Sequence, residues 1–125
     1  MAAIKPDISV QYTDSANVVT FLKEKILEEK DIRRLEESIF PVIERSENIH
    51  LVLDFSNVQF LSSSVLGLLL KISKKIYERN SRLALCNINP KIYEIFKITR
   101  LNKIFEIYED IDSAVQGLSA PQQDV

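Results

Sequence analysis

One stretch of this chain gathers residue types that could do chemistry: Leu51-Val52-Leu53-Asp54-Phe55-Ser56-Asn57-Val58-Gln59-Phe60-Leu61-Ser62-Ser63-Ser64-Val65-Leu66-Gly67. An apolar run ends in the carboxylate of Asp54, a short polar turn follows, and three consecutive hydroxyls stand before a helical pattern. Serine at a helix start caps backbone N–H groups that have no partner inside the helix. The same place favours a phosphate, because free N–H groups and the positive end of the helix dipole meet there. Ser63 is predicted at or beside the N-cap. Capping alone would also account for three serines in this position, so the segment is open to a structural and to a regulatory reading.

Elsewhere the parts of an enzyme are missing. His50 is the only histidine and stands at the start of an apolar run, without the neighbouring partners that acid–base catalysis requires. No G-x-G-x-x-G, G-x-x-x-x-G-K-[ST] or G-x-S-x-G motif occurs. The chain holds two glycines, Gly67 and Gly117, too few for a glycine-lined phosphate cradle. Cys86, the single cysteine, excludes an intramolecular disulfide and a multi-cysteine zinc site, and its apolar neighbours mark it as a small buried hydrophobe. The ten Phe and Tyr residues are spaced as core residues, not as a base-stacking platform. No catalytic residue, metal or cofactor is expected.

The elements that must position the serine segment follow from periodicity. Ile8–Tyr12 alternates and reads as an edge strand; residues 13–17 form a turn, and Val18–Leu22 returns as its hairpin partner, with a short continuation through Ile26-Leu27. Asp31 is placed to cap a helix carrying Ile32, Leu35, Ile39 and Val42 or Ile43 inward. Pro41 is expected to kink that helix or end it near Phe40. A loop at 46–48 leads into Ile49–Phe55, apolar enough for a central strand covered on both faces. The next helix runs from about Ser63 to Arg79, with Val65, Leu69, Ile72 and Ile76 inward and Lys71, Lys74, Lys75, Glu78 and Arg79 mostly outward.

Leu83–Ile88 is a further buried strand. Asn89 caps and Pro90 opens a short helix with Ile92, Ile95, Phe96 and Thr99 inward. Ile104–Tyr108 is a strand, and Asp110 caps a last helix through Leu118, with Ile111, Ala114, Val115 and Leu118 inward. Strands first, then helices alternating with strands, imply an α/β fold: a mixed β-sheet with an antiparallel N-terminal hairpin and a largely parallel later part. Residues 1–118 are expected to form one domain and residues 119–125 a flexible polar tail.

A chain of 125 residues with 46% hydrophobic and 27% charged residues has the composition of a globular domain. Its net charge of −2, with both signs mixed, gives no reason to expect nucleic-acid binding. No apolar run reaches the roughly 20 residues that span a bilayer, and the N-terminus has no long apolar h-region. A cytoplasmic protein without direct membrane insertion is expected.

The segment Asp54–Gly67 resembles the signature of STAS domains, in which a strand ending in Asp-aliphatic-Ser leads through an apolar pair into Asp-Ser-Ser-Gly-aliphatic-Gly. Leu83–Ile88 followed by Asn89-Pro90 is similar to the family's next strand and helix start. Ile95-Phe96-Lys97-Ile98-Thr99-Arg100-Leu101, then Ile104-Phe105, resembles its next helix, turn and final strand. The likeness covers roughly residues 8 to 118. It implies a non-enzymatic module of the anti-sigma-factor antagonist type, whose regulatory phosphoserine falls on Ser63. Asp54, Ser56, Ser62, Ser63, Ser64, Val65 and Gly67 would then form the partner-binding and switch region. Ser62 stands where the family has an acid, and Val65 where it has a glycine. The partner implied is an anti-sigma factor with a kinase-like fold. The alternative is a constitutive subunit docking on a transporter ATPase or a larger signalling scaffold, without a phospho-switch.

Overall fold

The computed structural model describes residues 6–45 and 48–119. Five strands pair in one sheet: β1 (Ile8–Tyr12), β2 (Ala16–Phe21), β4 (His50–Asp54), β6 (Leu83–Cys86) and β7 (Glu106–Tyr108), side by side in that order. β3 (Lys25–Ile26) and β5 (Phe60–Leu61) form a separate parallel pair. β1 runs antiparallel to β2, and all later pairings in the large sheet are parallel. The mixed sheet with its N-terminal hairpin is therefore the observed fold. The helices are α1 (Glu29–Arg45), α2 (Ser63–Glu78), α3 (Pro90–Ile98) and α4 (Ile111–Ser119), with a 3-10 turn at Leu101–Lys103.

Register explains why the central strand is apolar throughout. Val19, Leu53, Leu85 and Ile107 stand side by side across four strands, and Val18, Val52 and Ala84 make the next row. Side chains in adjacent rows point to opposite faces. The first row joins a large core with Leu35, Ile39 and Ile43 of α1, Leu69 and Ile72 of α2, and Ile92 and Phe96 of α3. The second faces α4, where Ala16, Ala84, Cys86, Ala114 and Leu118 gather. Small residues on that face let the helix approach closely. The Cys86 thiol is buried there, and burial, followed by the nearby charge of Asp54, pushes its pKa up to about 12. At neutral pH it is a packing residue, not a nucleophile.

Several expectations need correction. β2 begins at Ala16, two residues earlier than the turn signals suggest. Ile26 does not extend the hairpin but pairs with Leu61 in the small sheet. α1 runs through Pro41 without interruption; Pro41 and Glu37, whose carbonyl it leaves without an intrahelical donor, are both exposed, so water can satisfy the gap. Asp31 lies inside the first turn of α1 and reaches back to accept from the Glu28 N–H at 3.3 Å, the return half of a capping box. Thr99 is exposed at the C-cap of α3, and Ile104 is exposed beyond the 3-10 turn, so β7 begins only at Glu106. The caps at Asn89 and Asp110 are as expected: Asn89 accepts from the Ile92 N–H at 2.9 Å and Asp110 from the Ser113 N–H at 2.7 Å. Part of the loop expected at 46–48, and the tail beyond Ser119, lie outside the described residues.

Far from the serines, a polar cluster ties the N-terminal ends of the strands to α4. The Arg82 guanidinium pairs with Glu106 and donates to the Leu118 carbonyl at 3.4 Å, and the Tyr108 hydroxyl donates to Glu106 at 3.0 Å. His50 Nδ1 accepts from the Arg82 N–H at 2.9 Å. Tyr108 also lies over Gly117: a Cβ there would overlap the hydroxyl and come within 2.5 Å of the ring. Gly117→Ala must displace the ring and weaken its hold on Glu106. Overpacking of this kind costs about 1–3 kcal/mol against a helix-propensity gain of up to about 1 kcal/mol. Chemical denaturation is expected to show a net loss.

Burial, followed by the positive charge of Arg82, holds the His50 imidazole below its ordinary pKa of 6.5, with Glu106 acting in the opposite sense. The unfolded chain therefore takes up the proton more readily than the folded one. This contribution to stability is complete above pH 6.5 and is lost as the pH falls through the folded pKa. Thermal melts between about pH 7.5 and 5 should show a fall that His50→Gln reduces, since no other histidine titrates in that window.

Candidate functional site

Asp54 is the last residue of β4 and only 3% exposed, yet its carboxylate has four donors. Oδ1 accepts from the Ser56 N–H at 3.0 Å and Asn87 Nδ2 at 2.8 Å; Oδ2 accepts from Thr20 Oγ1 and Ser56 Oγ, both at 3.0 Å. Thr20 and Cys86 are its register partners on β2 and β6, so the carboxylate locks the C-terminal ends of three parallel strands. Asn57 adds a bond from its amide to the Phe21 carbonyl at 3.1 Å. Asp54 thus fixes the course of the chain after β4 and offers almost no surface to a partner.

The small sheet then delivers the serines. The Gln59 and Phe60 N–H groups donate to the Glu24 carbonyl, and the Ser62 N–H donates to the Ile26 carbonyl at 3.0 Å. Ser62 is the N-cap of α2, Ser63 the first helical residue and Ser64 the second. Ser62 Oγ is buried without a hydrogen-bond partner and makes no side-chain cap. Ser63 and Ser64 are exposed. The first turn of α2 carries no acidic residue, so nothing within it offsets the positive end of its dipole.

Helical geometry sorts the remaining residues of the segment. Val65 is 1% exposed and packs with Leu69, Ile72 and Ile76 in the core, so its bulk points away from any docking partner. Gly67 is exposed one turn beyond Ser63, and a Cβ built on it meets nothing within 4 Å. Ser63, Gly67 and Leu70 share one outward face at helical spacing. Leu27, Phe60 and Leu70 are exposed, the first two beside the β3–β5 bridge. The start of α2 thus exposes hydroxyls and Gly67, and the adjoining β3–β5 bridge exposes Leu27 and Phe60, with the Lys25 ammonium 5.8 Å from the Phe60 ring centroid.

Of the expected site residues, Ser63, Ser64 and Gly67 share the surface, Ser62 lies at its edge, and Asp54, Ser56 and Val65 support it from beneath or beside. Thr20, Asn87 and the pairing of β3 were not foreseen. Thr20 and Asn87 are 34 and 33 residues from Asp54, and no spacing rule connects them. Among the described residues there is no cluster of His, Cys, Asp and Glu that could hold a metal ion, and no helix long and apolar enough to cross a membrane.

Known proteins share this fold. The STAS domain family model matches residues 9–114. The anti-sigma F factor antagonist of Paenibacillus polymyxa is 34% identical over 76 residues, covering 61% of this chain and 65% of that protein's length, just under two thirds of it. An anti-sigma-factor antagonist (STAS) domain protein from Planctomyces limnophilus superposes with a TM-score of 0.84 at 20% identity, covering 91% of this chain and 99% of the other. An anti-sigma factor antagonist from Mycobacterium paratuberculosis gives 0.79 at 26% identity, covering 93% and 98%.

Proposed function

Because this chain belongs to the STAS domain family, we propose that it is a non-enzymatic regulatory module that binds a protein partner at the start of α2 and is released when Ser63 is phosphorylated. The observation that carries this reading is the placement of Ser63: exposed, first in α2, beside an uncompensated helix N-terminus. A phosphate there is favoured electrostatically and adds about −1.5 to −2 charges and three acceptor oxygens. Gly67, where no side chain stands in the way, and exposed Leu70 suit a closely packed partner, and that added charge disrupts such packing.

The partner on this reading is an anti-sigma factor, a class supported by the name of the Paenibacillus polymyxa relative; its kinase-like fold is what the family resemblance implies. On this reading the Ser63 hydroxyl accepts the γ-phosphoryl group of ATP in the complex, and ADP leaves. The test is to incubate the chain with ATP and a candidate anti-sigma factor of the class that the relatives antagonise, then map phosphate by mass spectrometry and follow the complex by size exclusion. Phosphate on Ser63 with loss of the complex is expected.

The rival reading is constitutive docking on a transporter ATPase or signalling scaffold. The neutral Ser62, with its Oγ buried, favours it, since no carboxylate stands beside Ser63 to orient a phosphoryl donor. A stable ATPase complex that ignores nucleotide, with no phosphate on Ser63, would decide for the rival.

A further inference from the structure

The turn after β4 and the start of α3 enclose a cleft of about 530 Å3 beyond the C-terminal ends of β4 and β6. Open parallel sheets receive ligands at this end of their strands, and the volume falls in the range of small-molecule sites. The walls are held rigidly. Asn89 Nδ2 donates to the Val58 carbonyl at 3.1 Å across the cleft, while its Oδ1 caps α3. Asn87 sits in the left-handed region at φ 57° and spends its amide on Asp54.

What remains unused is chemically selective. Phe55 beneath the cleft is fully buried against Phe21 and offers no surface, whereas Phe60 forms a rim that is 45% exposed. Lys91 projects from the first turn of α3 and has no ion-pair partner among the described residues, and the Gln59 amide is likewise uncommitted. Among the described residues no acidic side chain lines the cleft, the Asp54 carboxylate behind Ser56 and Asn87 being taken up by its own four donors, and Lys25 adds positive charge beside Phe60. An apolar ring with a single anionic group matches this surface; a cation or a polyol does not.

We propose that the cleft binds a small aromatic monoanion, with its ring against Phe60 and its carboxylate or phosphate held by Lys91 and the Gln59 amide. The site excludes Ser63 but shares the Phe60 rim with the surface at the start of α2; its test uses neither a partner protein nor phosphorylation, so either reading can fail without the other.

Titration of the full ¹⁵N-labelled chain with 3-phenylpropionate, phenyl phosphate and the uncharged 2-phenylethanol tests this. Shifts centred on Ser56, Gln59, Phe60, Asn87 and Lys91 are expected, with dissociation constants of about 1–10 mM for compounds of this size. Both anions should bind more tightly than the alcohol, and the stronger of the two identifies the head group. Lys91→Ala should weaken the anions about five- to tenfold and leave the alcohol unchanged, while Lys97→Ala, on the same helix outside the cleft, should change nothing. Three results would overturn the site: no shift at about 20 mM anion, shifts centred elsewhere, or anion binding unaltered by Lys91→Ala.

Discussion

Asp54→Ala is expected to lower the unfolding free energy by about 2–4 kcal/mol and the melting temperature by roughly 6–16 °C. The reason is the environment of the carboxylate, which is buried and accepts from Thr20, Asn87 and both donors of Ser56. Hydrogen bonds to a charged acceptor are worth about 1.5–3 kcal/mol each, but they do not add fully. Ser56 is exposed, so water replaces the carboxylate at its N–H and hydroxyl. Thr20 and Asn87 are half-buried and lose more, and Asn87 is the residue that turns the chain out of β6.

Asp54→Asn separates charge from shape. The amide keeps the volume; with its oxygen toward the Ser56 N–H and Asn87, its N–H2 group faces the Thr20 and Ser56 hydroxyls, which must turn from donors into acceptors. A loss of about half the alanine value is expected by urea denaturation. Hydrogen exchange offers an independent readout, because the Ser56 amide should lose protection in the alanine variant and keep most of it in the asparagine variant. An alanine variant as stable as the parent would mean that strand packing alone holds the three strand ends together, and that the four bonds contribute little.

Elements whose signals lie within a few residues were legible in the sequence. Asn89-Pro90 and Asp110 reveal their helix starts because a cap acts over three positions. The Ile49–Phe55 run reveals a doubly covered strand because both of its faces must be apolar. The short continuation at Ile26 was legible, but its pairing as β3 was hidden because two residues have no periodicity and the partner is 35 positions away. Without β3 the route from β4 to the serines cannot be drawn, since the Glu24 and Ile26 carbonyls hold residues 59–62 in place. Val65 shows two sequence signals in conflict. Its place in the family signature put it in the switch region, whereas its spacing with Leu69, Ile72 and Ile76 put it inside. Spacing prevailed because helical phase is a geometric constraint on this chain, whatever stands at that position in its relatives. Ile104 failed in the opposite way: an apolar residue beside a strand pattern was read into the strand, although a 3-10 turn leaves it exposed.

Ser63→Asp should move stability and binding in opposite directions. At the first position of α2 the new carboxylate meets free N–H groups and no competing acid, so it should stabilise the fold by about 0.3–1 kcal/mol, or roughly 1–4 °C in melting temperature, and less at high salt. Against a partner packed on the neutral hydroxyl, the same charge loses its water without gaining a counter-charge. A penalty of at least about 2 kcal/mol corresponds to roughly thirtyfold weaker binding. The opposed signs matter, because a loss of affinity in a variant that melts higher cannot come from unfolding. Ser63→Ala separates the roles further: it should keep most of the affinity and lose phosphate acceptance, since Ser62 and not Ser63 occupies the N-cap. Calorimetry with the purified anti-sigma factor measures the parent and both variants on one scale. If Ser63→Asp and Ser63→Ala both bind like the parent, the phospho-switch reading is wrong, and a docking surface insensitive to charge at Ser63 remains.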